Sequence, residues 1–215
     1  YVSYGHSFNA PTLYQLYRHD PSYGYVANPD LKPEVTDTFE VGLKKNFSEK
    51  AYLGVSLYSA KTTDLISAVT RPDGKKWYVN IDKAKRLGAE FDFNFKHDNK
   101  FSSYANITFQ NAEDGDDERI CSIPKRIANI GVKYNYDKWN AYVEGQYVSD
   151  RNEPGNIAGK LYSDDGFFTA NLGVSYKFIK NGRLSFAINN LFDRDYWQWY
   201  KSAGRTYIAG VEFEF

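Results

Sequence analysis

The stretch Gly204–Phe215, GRTYIAGVEFEF, alternates strictly between two kinds of side chain position. Because successive side chains of a β-strand point to opposite faces, the stretch predicts a strand with one apolar wall and one mostly polar wall. The apolar wall consists of Tyr207, Ala209, Val211, Phe213 and Phe215, and the other wall of Thr206, Ile208, Gly210, Glu212 and Glu214. A strand of a membrane barrel presents such an apolar wall to lipid, so this stretch favours a transmembrane β-barrel.

The composition of the chain agrees with an all-β protein in which residues 1–215 form a single domain. The 215 residues include 19 Tyr and 15 Phe, and no run of about 18 apolar residues predicts a transmembrane helix. Lys+Arg and Asp+Glu are both 27, so no basic excess points to nucleic acid. Cys121 is the single cysteine, which leaves no partner for an intrachain disulfide.

Apolar and polar residues alternate with a period of two in ten segments, and each segment predicts a strand. Besides the first and last segments of the chain, the apolar positions lie in 39–43, 53–57, 87–95, 105–109, 128–134, 139–147, 168–178 and 184–188. The opposite face carries polar side chains, among them Glu90, Asp92 and Glu144. The pattern predicts an antiparallel all-β fold, and taken alone it fits a β-sandwich as well as a barrel.

The lengths of the connections separate a barrel from a sandwich. Short connections are predicted near 46–50, 97–100, 136–138 and 180–183, and long ones near 9–34, 67–77, 113–123, 151–165 and 193–203. Because they alternate along the chain, antiparallel strands put all short turns at one end and all long loops at the other. Outer-membrane barrels have this pattern, with short periplasmic turns and long extracellular loops. The acidic run Glu113–Glu118 is interpreted as a solvated loop rather than a cation site.

Four segments of the chain resemble sequence boxes of the TonB-dependent outer-membrane transporters. The first box is Phe8-Asn9-Ala10-Pro11 followed by Leu13, Leu16 and Tyr17, with Asn9 in place of the usual basic residue. The second is Asn28-Pro29-Asp30-Leu31-Lys32-Pro33-Glu34, and the third is Asn190-Leu191-Phe192-Asp193-Arg194-Asp195-Tyr196. The fourth comprises Gly204, Arg205, Tyr207, Gly210 and Phe215. The charges of Glu34 and Arg205 suit them to hold loop geometry through charge-assisted hydrogen bonds.

The resemblance implies that the chain is the C-terminal part of a barrel of about 22 strands. Tyr1 already lies in a predicted strand, and the sequence has no Met and no signal peptide, which agrees with a portion of a longer protein. The plug domain, the energy-coupling box and the first part of the barrel are therefore expected outside this sequence. The family further implies contact with TonB through the N-terminal region, with the lipid bilayer or lipopolysaccharide, and with the barrel-assembly machinery through Phe215.

For function, the resemblance implies active import of a scarce, bulky ligand across the outer membrane of a Gram-negative bacterium. Ligands of the family include ferric siderophores, cobalamin and haem, and this chain supplies barrel wall and extracellular loops. The sequence contains no catalytic triad and no metal cluster of defined spacing, so neither an enzymatic activity nor a cofactor is predicted. A passive porin or other plugless barrel, an outer-membrane enzyme and a soluble β-sandwich or lipocalin remain the alternatives.

Aromatic residues and one histidine in the predicted loops are the candidate ligand-binding residues. They are Tyr14, Tyr17, His19, Tyr23, Tyr25, Trp77, Trp197 and Trp199. His19 lies between the first two boxes, where haem receptors of the family carry an iron-binding histidine, so the resemblance makes it the candidate haem ligand. Trp197 and Trp199 suit stacking on a ligand, although an aromatic girdle or loop packing is the favoured interpretation.

Overall fold

The computed structural model of the chain consists almost entirely of β-strands. It describes residues 1–18, 24–120, 123–157, 160–198 and 200–214. In chain order the elements are β1 (Val2–Asn9), α1 (Leu13–Tyr17), β2 (Tyr25–Val26), β3 (Glu34–Ser48), β4 (Ala51–Thr70), β5 (Lys76–Lys96), β6 (Phe101–Asp114), β7 (Arg126–Tyr136), β8 (Trp139–Val148), β9 (Arg151–Ile157), β10 (Lys160–Asp164), β11 (Phe167–Ile179), β12 (Gly182–Asn189), β13 (Trp197–Gln198), β14 (Tyr200–Lys201) and β15 (Thr206–Phe213).

One sheet contains the ten strands that the alternation predicts. Their order is β1-β3-β4-β5-β6-β7-β8-β11-β12-β15, and β2 pairs with β5 beside this path. The predicted short connections are confirmed between β3 and β4, β5 and β6, β7 and β8, and β11 and β12. Two small antiparallel hairpins, β9–β10 and β13–β14, lie within the last two long connections. Among the described residues, no helix has the length and apolar character needed to span a membrane.

Residue contacts divide the chain into two compact units. Unit 1 comprises Tyr1–Val41, Leu57–Gly88 and Asn111–Ile120, and unit 2 comprises Gly42–Ser56, Ala89–Gln110 and Cys121–Phe215. In unit 1, β1 lies antiparallel to β3, from the partners Val2 and Val41 to the partners Asn9 and Glu34. The two-residue strand β2 lies parallel to the start of β5.

The connection between β4 and β5 corrects the prediction of a long loop over 67–77. It is a tight turn in which Arg71 N–H donates to the Lys75 carbonyl at 2.7 Å and Gly74 N–H donates to the Arg71 carbonyl at 2.9 Å. Gly74 has φ of +81°, a conformation that glycine adopts without steric cost. The end of β4 was missed because polar side chains interrupt both of its faces. The start of β5 was missed although Trp77, Val79 and Ile81 alternate with Tyr78 and Asn80.

In unit 2, the strands align so that apolar side chains form continuous rows on one face. One row crosses five strands through the successive partners Val132, Val143, Leu172, Ile188 and Tyr207. Val143 is 56% exposed and Tyr207 is 61% exposed. An extended apolar face of this kind marks a surface that contacts another apolar phase or partner, as the prediction of a lipid-facing wall requires.

The opposite face of the unit 2 sheet carries hydrogen-bonded polar side chains. Tyr104 O–H donates to Glu144 Oε2 at 3.0 Å, and Asn171 Nδ2 donates to Glu144 Oε1 at 3.1 Å. Tyr104 packs against its cross-strand partner Gly131, where an added Cβ would come within 2.5 Å of the tyrosine ring. Glycine therefore leaves the space that this ring occupies, and the polar wall predicted from the alternation is present.

Candidate functional site

The first long connection of unit 1 contains the short helix α1, which carries two of the candidate residues, Tyr14 and Tyr17. The helix begins with a capping box, in which Gln15 N–H donates to Thr12 Oγ1 at 3.3 Å and Thr12 N–H donates to Gln15 Oε1 at 2.8 Å. These reciprocal bonds satisfy two backbone donors that the start of a helix otherwise leaves without partners. The capping box thus explains how a helix of five residues forms directly after the first box.

Three tyrosine rings and one guanidinium form what we call the aromatic cluster: Tyr14, Tyr25, Tyr78 and Arg18. Tyr14 meets Tyr25 and Tyr78 edge-on, with centroid distances of 6.3 and 6.2 Å, and Tyr25 stacks on Tyr78 at 6.3 Å. The Arg18 guanidinium carbon lies 4.5 Å from the Tyr14 centroid and 5.0 Å from the Tyr25 centroid. The cluster combines aromatic faces with a permanent positive charge held by cation–π contacts.

Asparagine side chains hold the second box, Asn28–Glu34, against β5 beside this cluster. Asn28 Nδ2 donates to the Tyr78 carbonyl at 2.8 Å. Lys32 N–H donates to Asn80 Oδ1 at 2.9 Å, and Asn80 Nδ2 donates back to the Lys32 carbonyl at 2.9 Å and to the Asp64 carbonyl at 2.7 Å. These bonds fix the backbone on both sides of the aromatic cluster.

Glu34 joins the first two boxes. Its Oε1 accepts the Ile66 N–H at 2.8 Å, and its Oε2 accepts a hydrogen bond from Asn9 Nδ2 at 2.8 Å. Asn9 and Glu34 are also direct partners in the β1–β3 register. The asparagine that stands in place of the usual basic residue therefore keeps a hydrogen bond to this carboxylate instead of an ion pair, and Glu34 holds loop geometry as its charge led us to expect.

Trp77 lies apart from the aromatic cluster. It precedes Tyr78 within β5, so its side chain leaves the opposite face of the strand. The Arg71 guanidinium carbon lies 5.2 Å from the Trp77 ring. The structure thus brings Tyr14 and Tyr25 together and places Trp77 elsewhere. Tyr17 is exposed on α1, and His19, Tyr23, Trp199 and Phe215 lie outside the described residues.

In unit 2, the third box forms a turn after β12 around the buried side chain of Asn190. Asn190 is 5% exposed and has φ of +52°, a region that asparagine tolerates better than most residues. Its Nδ2 donates to the carbonyls of Arg194 at 2.9 Å and Ala203 at 3.4 Å, and its Oδ1 accepts the Arg194 N–H at 2.9 Å. A single side chain therefore closes the turn and ties it to the segment that leads into β15.

Asp193 and Gly204 complete this connection to the fourth box. Asp193 Oδ1 accepts the Arg205 N–H at 2.6 Å, and a Cβ on Gly204 would lie 2.7 Å from the same oxygen. A larger residue at position 204 would therefore displace the Asp193 carboxylate from its position beside the Arg205 N–H.

Aromatic rings and one arginine pack around the same turn. The Tyr196 ring stacks on Phe167 with centroids 4.2 Å apart, and Phe192 lies 6.2 Å from Phe168. Arg151 Nη2 donates to the carbonyl of Trp197, which lies in the hairpin strand β13. The candidate Trp197 is 46% exposed and lies in unit 2, whereas the aromatic cluster belongs to unit 1.

The acidic run in unit 1 closes on itself. Asp114 Oδ1 accepts hydrogen bonds from the N–H groups of Asp116 and Glu118 at 3.0 Å each. The first side chain of this turn therefore binds the backbone of the turn itself. Within the part of the chain that the structure describes, no group of three His, Cys, Asp or Glu side chains is placed to hold a metal ion.

Sequence reasoning missed three residues of the site: Arg18, Tyr78 and Asn80. A signal for two of them was present, because Trp77, Val79 and Ile81 alternate with Tyr78 and Asn80 as the faces of a strand do. Arg18 directly follows α1, and its role depends on the fold of the connection around it.

The comparisons with known proteins agree with this architecture. A family model described as "TonB dependent receptor-like, beta-barrel" matches residues 1–191. Among curated proteins, the vitamin B12 transporter BtuB of Vibrio vulnificus is 28% identical over 97% of this chain. The vitamin B12 transporter BtuB of Photobacterium profundum is 25% identical over 98% of the chain. The chain spans about a third of the length of these relatives, 32% and 34%.

Solved structures share the fold. The copper transporter OprC superposes with a TM-score of 0.82 at 22% identity, covering 100% of this chain and 36% of OprC. The siderophore receptor PirA from Acinetobacter baumannii superposes with a TM-score of 0.80 at 19% identity, covering 100% of this chain and 38% of PirA. These likenesses show the antiparallel β-barrel fold, of which this chain covers a part.

Proposed function

Since this chain belongs to the TonB-dependent receptor family through its β-barrel, we propose that the complete protein actively imports a scarce, bulky ligand. The chain lies in the outer membrane of a Gram-negative bacterium, as members of the family do. In the proposal, residues 1–215 are the C-terminal part of the barrel and supply wall and extracellular loops. The named relatives are transporters and receptors rather than enzymes.

The observation that carries the proposal is the aromatic cluster of unit 1, whose rings come from α1, β2 and β5. Tyr14 is 45% exposed, so its ring is accessible although it meets two other rings. Tyrosines offer amphipathic faces for a large ligand, and the Arg18 guanidinium suits a phosphate or carboxylate group on it. Cobalamin is the first ligand to test because both curated relatives named above are vitamin B12 transporters. Ferric siderophores and haem complete the proposed ligand classes.

The direct test is ligand binding by the purified full-length receptor, with cyanocobalamin, ferric enterobactin and haem as separate probes. We expect one probe to bind, and Tyr78→Ala to weaken its affinity about tenfold through loss of an aromatic contact. Trp77→Ala is the matched control, because it removes a neighbouring aromatic ring from the opposite face of β5. The affinity of this variant for the probe should stay within about twofold of the wild-type affinity. Equal losses in both variants would contradict a site at the aromatic cluster.

Uptake by whole cells separates active import from a passive porin. We expect uptake to stop when a protonophore dissipates the inner-membrane gradient, since coupling through TonB is the proposed source of energy. Uptake that continues unchanged would favour the plugless barrel. For the haem alternative, an unchanged haem absorption spectrum in His19→Ala would remove His19 as the iron ligand.

A further inference from the structure

The polar face of the unit 2 sheet carries a patch in which most side chains are neutral amides. Four neighbouring strands, β6, β7, β8 and β11, contribute six half-buried side chains to it. The cross-strand register places these side chains next to each other. We call them the amide patch, which consists of two adjacent rows: Asn106, Asn129 and Gln146 in the first, and Tyr104, Glu144 and Asn171 in the second.

The amide patch lines a concave surface. The cavity over it has a volume of about 300 Å³. Its wall includes the ring of Tyr104, which lies over Gly131 so that the tyrosine hydroxyl reaches Glu144 across the second row. A volume at the lower end of small-molecule sites suits one side of a bulky ligand rather than the whole of it.

Hydrogen bonds within the patch leave one amide donor and one amide acceptor for a ligand. Gln146 Nε2 donates to Asn129 Oδ1 at 3.0 Å. Within the part of the chain that the structure describes, Asn129 Nδ2 and Gln146 Oε1 have no hydrogen-bond partner. A carboxamide carries both an N–H donor and a carbonyl acceptor, so a single carboxamide of a ligand can pair with both of these groups.

Glu144 gives the patch a negative charge that no cation of the sheet balances. Its two oxygens accept hydrogen bonds from the neutral groups of Tyr104 and Asn171, at 3.0 and 3.1 Å. Among the described residues, no Lys or Arg forms an ion pair with it. Beside the first row lies a second carboxylate, Asp92, whose Oδ1 accepts from Asn106 Nδ2 at 2.5 Å. Like charges repel, so the patch disfavours an anionic ligand and favours a neutral one.

The position of the patch along the strands places it on the path of a ligand that enters from the loops. Gln146 is the eighth residue of β8, counted from the short turn that precedes the strand. A tilted strand crosses the hydrocarbon core in about 9–11 residues, so Gln146 lies in the loop-side part of the crossing. The polar face of a transmembrane barrel lines its lumen. A ligand that moves from the loops to the short turns therefore passes the patch.

We propose that the amide patch is a transit site in the lumen that binds carboxamide groups of a neutral ligand during import. This inference rests on the import proposed above and adds a site that shares no residue with the aromatic cluster. Corrinoids fit the patch, because several neutral acetamide and propionamide groups project from their ring. Ferric catecholates and haem fit it poorly, because they bring negative charge toward Glu144.

The first test compares binding with uptake, using cyanocobalamin as the probe. The purified full-length receptor gives the affinity, and cells that carry it as their only cobalamin receptor give the initial rate of uptake. Asn129→Leu with Gln146→Leu removes the hydrogen-bonding groups of the first row at similar side-chain size. We expect this variant to lower the uptake rate about fivefold, while its affinity stays within about twofold of the wild-type affinity.

The matched control is Asn135→Leu with Asn140→Leu. These two asparagines are also direct partners on β7 and β8 and share the face of the patch, but they lie next to the short turn. Their replacement should change the uptake rate by less than about twofold. Heat-modified mobility on a gel verifies that each barrel is folded.

The second test addresses charge with a cyanocobalamin monocarboxylate, in which one carboxamide has been hydrolysed. We expect the wild-type receptor to import it about tenfold more slowly than cyanocobalamin, and Glu144→Gln to reduce this ratio to about twofold. Glu212→Gln is the control, because Glu212 lies on the same face but beside Arg183, at 3.7 Å. This control should keep the tenfold ratio. If the double leucine variant does not fold, the isosteric Glu144→Gln decides alone.

The proposal is overturned if the double leucine variant folds and imports cyanocobalamin at the wild-type rate, or if Glu144→Gln keeps the tenfold ratio. A patch that only holds the plug domain would lower the stability of its variants without changing the ratio between the two probes, which also overturns the transit site. Failure of the proposed import looks different, because the wild-type receptor then neither binds nor imports cyanocobalamin.

Discussion

The second box in unit 1 and the third box in unit 2 are held by the same chemistry but leave their aromatic neighbours in different states. In both, an asparagine side chain bonds to backbone groups of a segment far along the chain or across a turn. Around Asn190, Phe167 is 3% exposed and stacks closely on Tyr196, while Phe168 and Phe192 meet at 6.2 Å and stay exposed. Beside Asn80, the rings meet at 6.2 Å or more and Tyr14 stays accessible. The amide determines the backbone path, and ring packing determines which rings remain available to a ligand.

The largest expected effect on stability is that of Asn190→Ala. The variant removes three hydrogen bonds of a buried side chain and puts alanine at positive φ, so we expect the free energy of unfolding to fall by about 3 kcal/mol. The measurement is denaturant unfolding of the full-length receptor in detergent. Asn181→Ala, in the exposed short turn before β12, is the control and should change stability by less than about 0.5 kcal/mol.

A charged variant sharpens this result. Asn190→Asp keeps an oxygen for the Arg194 N–H but loses the amide donors to the carbonyls of Arg194 and Ala203. It should cost at least as much as the alanine variant at neutral pH, because it places a buried negative charge against those two carbonyls. An alanine variant as stable as the wild type would show that ring packing alone holds the turn.

In unit 1, Asn80→Ala should act locally rather than globally. It removes three hydrogen bonds that hold Lys32 and Asp64, which we expect to weaken the second box by about 2 kcal/mol. Hydrogen exchange at the Lys32 amide should then be about thirtyfold faster. Asn94→Ala, on the same face of β5 and exposed, should leave this amide unchanged. If both variants behave alike, Asn80 does not hold the box.

The smallest expected effect concerns a turn that a carboxylate side chain holds, in contrast to the two segments that asparagine side chains hold. Asp98 Oδ1 accepts the N–H groups of Phe101 and Lys100 at 2.7 Å each, and these bonds hold the pKa of Asp98 below its ordinary value of about 3.9. A lowered folded-state pKa stabilises the turn above the unfolded-state pKa, and the contribution is lost as pH falls through the folded-state value.

Hydrogen-exchange protection at Lys100 and Phe101, corrected for the intrinsic rate, should therefore be constant above about pH 5 and decrease as the pH falls below it, through the lowered pKa of Asp98. Asp98→Asn should remove most of this dependence because its side chain does not titrate. Protection at Lys32, whose partner is an amide, should stay constant over the same range. A constant protection factor at Phe101 would contradict the role of the carboxylate.

Prediction of the strands from sequence succeeded where contact with lipid requires apolar and polar residues to alternate. All ten long strands were found, since a strand with one face toward lipid and one toward water must alternate in polarity. The end of β4 was missed because both of its faces carry polar side chains, and the start of β5 was missed although its alternation is readable in the sequence. The helix α1 was missed as well, although its capping box between Thr12 and Gln15 is readable in the sequence.

For the candidate site, the sequence identified the boxes and the aromatic residues but not their grouping. Tyr14 and Tyr25 both contact Tyr78, which is distant in sequence. Trp77 is excluded from the aromatic cluster because side chains alternate along β5, and the start of this strand was not predicted. Asn80 holds the second box from another strand. Contacts between residues far apart in the sequence leave no local pattern, because the residues next to each partner can be of any type.

The sequence by itself determined that GRTYIAGVEFEF and the other nine strands have one apolar and one polar face, because the period of a strand maps directly onto its two sides. It also determined the family, through boxes whose residues close turns at fixed positions. Only the tertiary structure decided which rings form the aromatic cluster and which backbone groups Asn80 and Asn190 hold. Register and long-range hydrogen bonds set these neighbours, and both arise when the strands pair rather than along any one of them.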